Sequence, residues 1–168
     1  QRTPRHAFIP HHSVESAYSD RALPTRDGQT ISQPYIVALM TQLAAVEPGL
    51  SVLEIGTGAG YQSAVLAELG AEVVTVERVE SLAASARQKL AELGYGDQVE
   101  VVVGDGTKGA PERGSFDRII VTAGAPAPPN ALRDQLADPG RLVIPVGDRQ
   151  QQRLEAHVLA DGQWSIEA

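Results

Sequence analysis

Three glycines at alternate positions, Gly56, Gly58 and Gly60, separate two apolar segments. The segment before them, Ser51-Val52-Leu53-Glu54-Ile55, is short and mostly aliphatic, so it reads as a buried strand. The segment after them, Tyr61 to Leu69, carries Ala64, Val65, Leu66 and Leu69 ahead of Gly70 and reads as a helix. A strand that turns on glycines into a helix admits few folds. It is how a βαβ unit opens, and glycine there permits positive φ and close backbone approach to a ligand. Three glycines in such a turn are costly unless something packs on them.

The rest of the chain continues the alternation. Val73 to Val76 is a β-branched strand, and residues 80–93 form a helix with Leu82, Ala83, Ala86, Leu90 and Leu93 on one face. Val99 to Val103 is a third strand, closed by Gly104-Asp105-Gly106, and Phe116 to Thr122 is a fourth. A short helix is predicted from a capping Asn130 through Leu136, broken by Pro139-Gly140. A fifth strand runs from Arg141 to Gly147. Leu154 to Leu159 and Gln163 to Ile166 flank Asp161-Gly162 and read as a hairpin. Ahead of the glycines, Ile36, Met40 and Leu43 recur at helical spacing behind Pro34, with Ser32 as the expected cap. Residues 1–32 show little periodicity and read as an irregular arm. The expected fold is α/β and Rossmann-like, a mostly parallel sheet with helices on both faces and a terminal antiparallel hairpin. One domain spanning 1–168 is expected.

The loop chemistry narrows the ligand. Dinucleotide sites use G-x-G-x-x-G, whereas the spacing here is G-x-G-x-G. Glu54, two residues before Gly56, would repel a pyrophosphate and attract a cation. S-adenosylmethionine carries both an ammonium and a sulfonium, which favours a methyl donor over a nicotinamide cofactor. Glu77 ends the second strand, where a carboxylate can accept from ribose hydroxyls. Asp105 lies at the same sheet edge and can accept from an adenine amino group; the competing reading is a plain Asp-Gly turn. Gly56, Thr57, Gly58, Gly60 and Gly106 complete the expected cofactor site.

Composition excludes several alternatives. The chain contains no cysteine, which rules out a thiolate metal site and a cysteine nucleophile. A net charge of −7 argues against unaided binding to nucleic acid. No apolar run approaches a membrane span, and no signal-peptide pattern is visible. His11-His12 suggests a metal pair, but adjacent residues on an irregular arm are expected to point apart. Trp164 is expected to pack on the hairpin.

At these residues the chain resembles the protein-L-isoaspartate (D-aspartate) O-methyltransferase family. Pro4-Arg5-His6-Ala7-Phe8-Ile9-Pro10, Tyr18 and Leu23-Pro24 are similar to its entry segments. Gly28-Gln29-Thr30-Ile31-Ser32-Gln33-Pro34 resembles its signature nearly residue for residue. Val52 to Tyr61, Gly104-Asp105-Gly106, Ile120 to Ala123 and Pro145-Val146-Gly147 follow in order. The resemblance implies a class I S-adenosylmethionine-dependent methyltransferase fold. It implies methyl transfer to the free carboxyl of isoaspartyl or D-aspartyl residues in damaged proteins, which begins repair through a succinimide. The product of the cofactor would be S-adenosylhomocysteine. Ser32 would contact the reacting carboxylate, or would serve only as a helix cap. Thr30 and Ile31 would line the same wall as Ser32, and Thr122-Ala123 and Ile144-Pro145-Val146 would form the peptide-binding side through backbone groups. No metal is expected, because the donor is already activated. A monomer in the cytoplasm, acting on isoaspartyl proteins and not on nucleic acid or membrane, is the expected setting. Family members usually extend beyond both ends of this chain, so trimming at both ends is expected. Thr25-Arg26-Asp27 replaces a more apolar run. Other readings remain: a carboxyl methyltransferase dedicated to another peptide or small molecule, a cofactor-binding domain without activity, or a nicotinamide oxidoreductase.

Overall fold

The computed structural model describes residues 2–25, 28–148 and 150–167. The comparison at Arg26-Asp27 lies outside the described residues. Along the chain run α1 (Val14–Ala17), β1 (Leu23–Pro24), β2 (Thr30–Ile31), α2 (Pro34–Leu43), β3 (Ser51–Ile55), α3 (Tyr61–Glu68) and β4 (Glu72–Glu77). Then follow α4 (Glu80–Glu92), β5 (Val99–Val103), β6 (Phe116–Val121), α5 (Asn130–Arg133), β7 (Leu136–Gly147), β8 (Gln152–Ala160) and β9 (Gln163–Glu167).

Seven strands form one sheet in the order β5-β4-β3-β6-β7-β8-β9. β5 through β7 are parallel, and β8 and β9 add antiparallel to the end. Alternate side chains leave the sheet on opposite faces, so two cores form. Val52, Val73, Ile120 and Val143 pack with Leu66 of α3 and Leu90 of α4 on one face. Leu53, Val76, Ile119 and Leu142 pack with Leu132 of α5 on the other. The chain leaves β3 toward β4 and β5, then returns to β6 on the opposite side of β3. The β3/β6 boundary is therefore the topological switch point, where open α/β sheets hold ligands beyond the strand ends.

Two expectations are corrected. The arm is not irregular: it contains α1, a 3₁₀ turn over Arg5–Phe8 and the antiparallel pair β1-β2. Phe8, Ile9, Ala17 and Leu23 bury into the first core. Arg5 is wholly buried there, with Nε donating to the Ala17 carbonyl at 2.7 Å and its guanidinium over the Tyr61 ring. The second correction concerns α5. Pro129, not Asn130, is its N-cap, and it stops at Arg133. Leu136 already pairs with Phe116 in β6, so Pro139-Gly140 lies inside β7 as an irregular excursion rather than a helix break. Gln135 holds that junction: its Nε2 donates to the carbonyls of Lys108 and Ala131, and its Oε1 accepts from the Ala110 amide.

The His11 and His12 rings do not point apart. Their centroids are 4.5 Å apart and both Nε2 atoms meet the Pro24 carbonyl. Trp164 stacks on the guanidinium of Arg133 at 4.1 Å, fastening the hairpin to α5.

Candidate active site

A cavity of about 470 Å³, within the usual range for a small-molecule site, opens at the switch point. The ends of β3, β4 and β6, the turn after β5, the residues before α2 and the first turn of α3 enclose it.

The glycine turn is shaped by its neighbours. Gly56 has φ +94°, and a Cβ there would lie 2.4 Å from Thr122 Oγ1. That hydroxyl bonds to the carbonyls of Ile55 and Gly56 at 2.9 and 2.8 Å, while the Thr122 amide donates to Ile55. Thr122 thus clamps the two strands flanking the switch point. A Cβ on Gly58 would meet no protein atom within 4 Å, so the turn leaves open space on the cavity side. Gly106 gives the same close fit from the other wall, since a Cβ there would lie 2.4 Å from Ile55 Cγ2. Gly60 differs from expectation. It is not on the cavity wall; its left-handed conformation starts α3, and its missing side chain admits Leu90 and Ala86 of α4.

Three carboxylates converge on the cavity. Glu54 is wholly buried. Its Oε2 accepts from Ser63 Oγ, and Oε1 has no partner among the described residues. Burial removes the water that would stabilise its charge and pushes its pKa up to about 7; the Ser63 bond and the polar Thr75 hydroxyl nearby oppose this, and nearby Glu77 adds to it. Thr57 is tied to the same group, with Oγ1 2.7 Å from Thr75 Oγ1. Glu77 accepts from the amides of Gly58 and Val79, one on each oxygen and both at 3.0 Å. Each carboxylate oxygen keeps a second lone pair for a ligand. Asp105 is exposed and caps its own turn: Oδ1 takes the amide and hydroxyl of Thr107 at 3.0 and 2.7 Å. These bonds hold its carboxyl below the usual range. They also end on one oxygen, so the turn role and a ligand role are compatible.

Ser32 lines the opposite wall with Thr30 and Ile31. It is not the cap of α2. Gln33 occupies that position without a side-chain cap bond, and Asp20 from the arm accepts the Tyr35 amide on Oδ1 at 3.0 Å. Asp20 Oδ2 also accepts from Gln33 Nε2. The Ser32 hydroxyl consequently has no hydrogen-bond partner among the described residues. Thr122 and Ala123 reach the cavity, but Pro145 and Val146 do not. The Pro145 carbonyl accepts from the Ala125 amide, and Gly147, two residues on, donates to the Ala125 carbonyl, both at 3.0 Å. These groups hold the wall residue Ala125 rather than face a ligand.

Sequence reasoning missed Tyr61 and Gln62, both on the cavity wall. Tyr61 is held from behind by Arg5 and by the edge of Phe8. Gln62 is buried although polar, and its Oε1 has no partner among the described residues. The run Gln62-Ser63-Ala64, buried throughout, was a signal only in retrospect, because Gln at a helix start is ordinarily solvated.

The fold and this site define a class I S-adenosylmethionine-dependent methyltransferase. An acidic donor set suits a cation, the open side of Gly58 admits a ligand at the loop, and an orphaned buried carboxylate oxygen needs one. The family model for protein-L-isoaspartate (D-aspartate) O-methyltransferase matches residues 1–167. The chain belongs to that family.

Its relatives agree. The chain is 56% identical over 153 residues to a protein-L-isoaspartate O-methyltransferase of Roseiflexus castenholzii, covering 91% of this chain and 70% of that protein. It is 52% identical over 162 residues to one of Methanoculleus marisnigri, covering 96% and 73%. A solved protein-L-isoaspartate O-methyltransferase superposes with a TM-score of 0.86 at 30% identity, covering 98% of this chain and 56% of that one. A Plasmodium falciparum structure of the same description, in complex with S-adenosyl-L-homocysteine, gives 0.84 at 25%, covering 99% and 82%. The chain is therefore an S-adenosylmethionine-dependent enzyme of isoaspartyl carboxyl methylation. Among the described residues, no helix is long and apolar enough to cross a membrane, and no cluster of metal-ligating side chains occurs.

Proposed function

We propose that Ser32 holds the substrate carboxylate for methylation, with Glu54, Gly56, Thr57, Gly58, Glu77, Asp105 and Gly106 holding the cofactor. The observation that carries this is the Ser32 hydroxyl itself. It lines the same cavity as the three carboxylates, and Asp20 relieves it of capping α2. When bound, S-adenosylmethionine supplies a methyl group on a positively charged sulfur. Ser32 Oγ donates to one carboxylate oxygen of the isoaspartyl residue and leaves the other free to attack. That carboxylate is ionised at neutral pH, so no general base is required. The Ser32 wall and the Tyr61 ring, braced by Arg5, exclude water and fix the line of approach. Thr30, Ile31 and Ala123 border the acceptor side. An acceptor side built from small and apolar residues suits an enzyme that takes many damaged sequences, in preference to one dedicated peptide.

Residues 1–168 act in this reading as a single methyltransferase domain, because the arm's Phe8 and Ile9 share a core with α3 and α4. The absence of cysteine and the charge of −7 fit a cytoplasmic monomer that does not bind nucleic acid.

The test is methyl transfer to an isoaspartyl peptide and to its aspartyl twin. Transfer to the first alone is expected. Ser32→Ala is expected to lower kcat by about 10²-fold while S-adenosylhomocysteine binds as before. Unimpaired turnover by that variant would remove Ser32 from the mechanism.

A further inference from the structure

Two buried oxygens on the cavity wall lack a partner among the described residues: Glu54 Oε1 and Gln62 Oε1. Thr41 determines which end of the Gln62 amide is left bare. Its hydroxyl gives its proton to the Val37 carbonyl at 2.7 Å, one turn back in α2. A hydroxyl has a single proton, so toward Gln62 it can only accept. Gln62 Nε2 donates to it at 2.9 Å. Turning the amide over would set two acceptors against each other. The oxygen is therefore the unpaired end, on a residue only 6% exposed.

Glu54 lines the same cavity. Ser63, the next residue of α3, donates to Glu54 Oε2 and leaves Oε1 bare. The first turn of α3 thus supplies one buried acceptor, the Gln62 amide oxygen, and through Ser63 fixes a second, the carboxyl of Glu54 in β3. Buried polar groups in native proteins are hydrogen-bonded, so these two call for a ligand rich in N–H. An ammonium has three such protons and a positive charge. Once Glu54 is ionised, a carboxylate would meet only acceptors here.

We propose that Gln62, together with Glu54, recognises the α-ammonium of the methionyl part of the cofactor. This rests on the S-adenosylmethionine reading of the cavity. Gln62 lies outside the glycine turn, and its bond to Thr41 links the ammonium position to α2, the helix that begins two residues after Ser32.

Calorimetric titration tests this with two ligands. S-adenosylhomocysteine carries the ammonium, whereas 5′-methylthioadenosine keeps the nucleoside and the thioether without it. Gln62→Met and Gln62→Leu keep the apolar bulk and remove the acceptor. Both are expected to raise the Kd for S-adenosylhomocysteine by about ten-fold or more, with less than about a two-fold change for 5′-methylthioadenosine. Thr41→Val, which unties the amide, is expected to give a smaller loss confined to the same ligand. Unchanged affinity for S-adenosylhomocysteine would overturn the proposal. An equal loss for both ligands would also overturn it, because Gln62 would then only shape the cavity. Failure of the unaltered protein to bind S-adenosylhomocysteine would instead refute the cofactor reading, and the proposal with it.

Discussion

Glu54 gives the fold a pH dependence whose sign and size follow from its burial. The unfolded chain ionises this carboxyl at its ordinary value of 4.5, whereas the folded protein holds the proton up to about 7. Below pH 4.5 both states are protonated and Glu54 contributes nothing. Between 4.5 and 7 the unfolded state binds fewer protons, so unfolding becomes progressively easier. Above 7 the full penalty remains, roughly 3 kcal/mol for a displacement of this size. Glu54→Gln abolishes the titration with little change of shape. Urea unfolding at pH 4.5, 6, 7 and 8 isolates the effect, because every other titrating group is common to both proteins. The variant is expected to gain roughly 3 kcal/mol on the original protein between the ends of this range. It should gain nothing further above pH 8. Stability profiles that stay parallel within about 0.5 kcal/mol would refute the assignment of a buried, proton-holding Glu54. The same substitution should weaken S-adenosylhomocysteine binding at pH 8, where only the original residue carries a charge for the ammonium.

Gly56→Ala should destabilise the fold by at least about 1 kcal/mol, because the new Cβ combines positive φ with a clash against Thr122 Oγ1. Adding Thr122→Ala removes the clash but not the strain, so thermal melts should show the double variant losing less than the sum of the two. Glu77→Ala should weaken S-adenosylhomocysteine binding by roughly 1–3 kcal/mol in calorimetry, since it removes the proposed ribose acceptor together with the bond that fixes Gly58. Asp20→Ala should cost about 1 kcal/mol by denaturant unfolding, the loss of the cap that α2 borrows from the arm.

The sheet was largely legible because its signals are local. Ser51–Ile55 and Val99–Val103 have the bounds expected from their apolar runs, β4 is longer by a residue at each end, and β6 is shorter by one at its end. α5 was not legible, because its end is decided by partners far away. Leu136 has the character of a helix residue in sequence, yet pairing with Phe116 draws it into β7. The arm misled for the same reason. Phe8, Ile9 and Leu23 have no shared period, and only the core formed by α3 and α4 shows why they are apolar.

At the site, the residues found from sequence are those whose chemistry is visible without a partner. A carboxylate before a glycine turn has a meaning wherever it sits, and Glu54 and Glu77 both reach the cavity. Gly60, Pro145 and Val146 lie off the cavity wall, because a motif marks a segment without saying which face each residue turns to the ligand. Gly60 serves the packing of α4, and Pro145 serves Ala125. Ser32 is the more instructive case, since spacing alone made it a cap. Capping is a competition for the free amides at a helix start, and the winner here is Asp20, 15 residues from the amide it accepts. An outside cap leaves the serine hydroxyl unspent at the helix entrance. Gln62 shows the converse. Its amide is spent at one end by Thr41, 21 residues earlier, and that bond is what leaves the other end buried and unpaired among the described residues. Both side chains acquire their chemistry from what a distant residue takes or declines to take, and no local pattern records that.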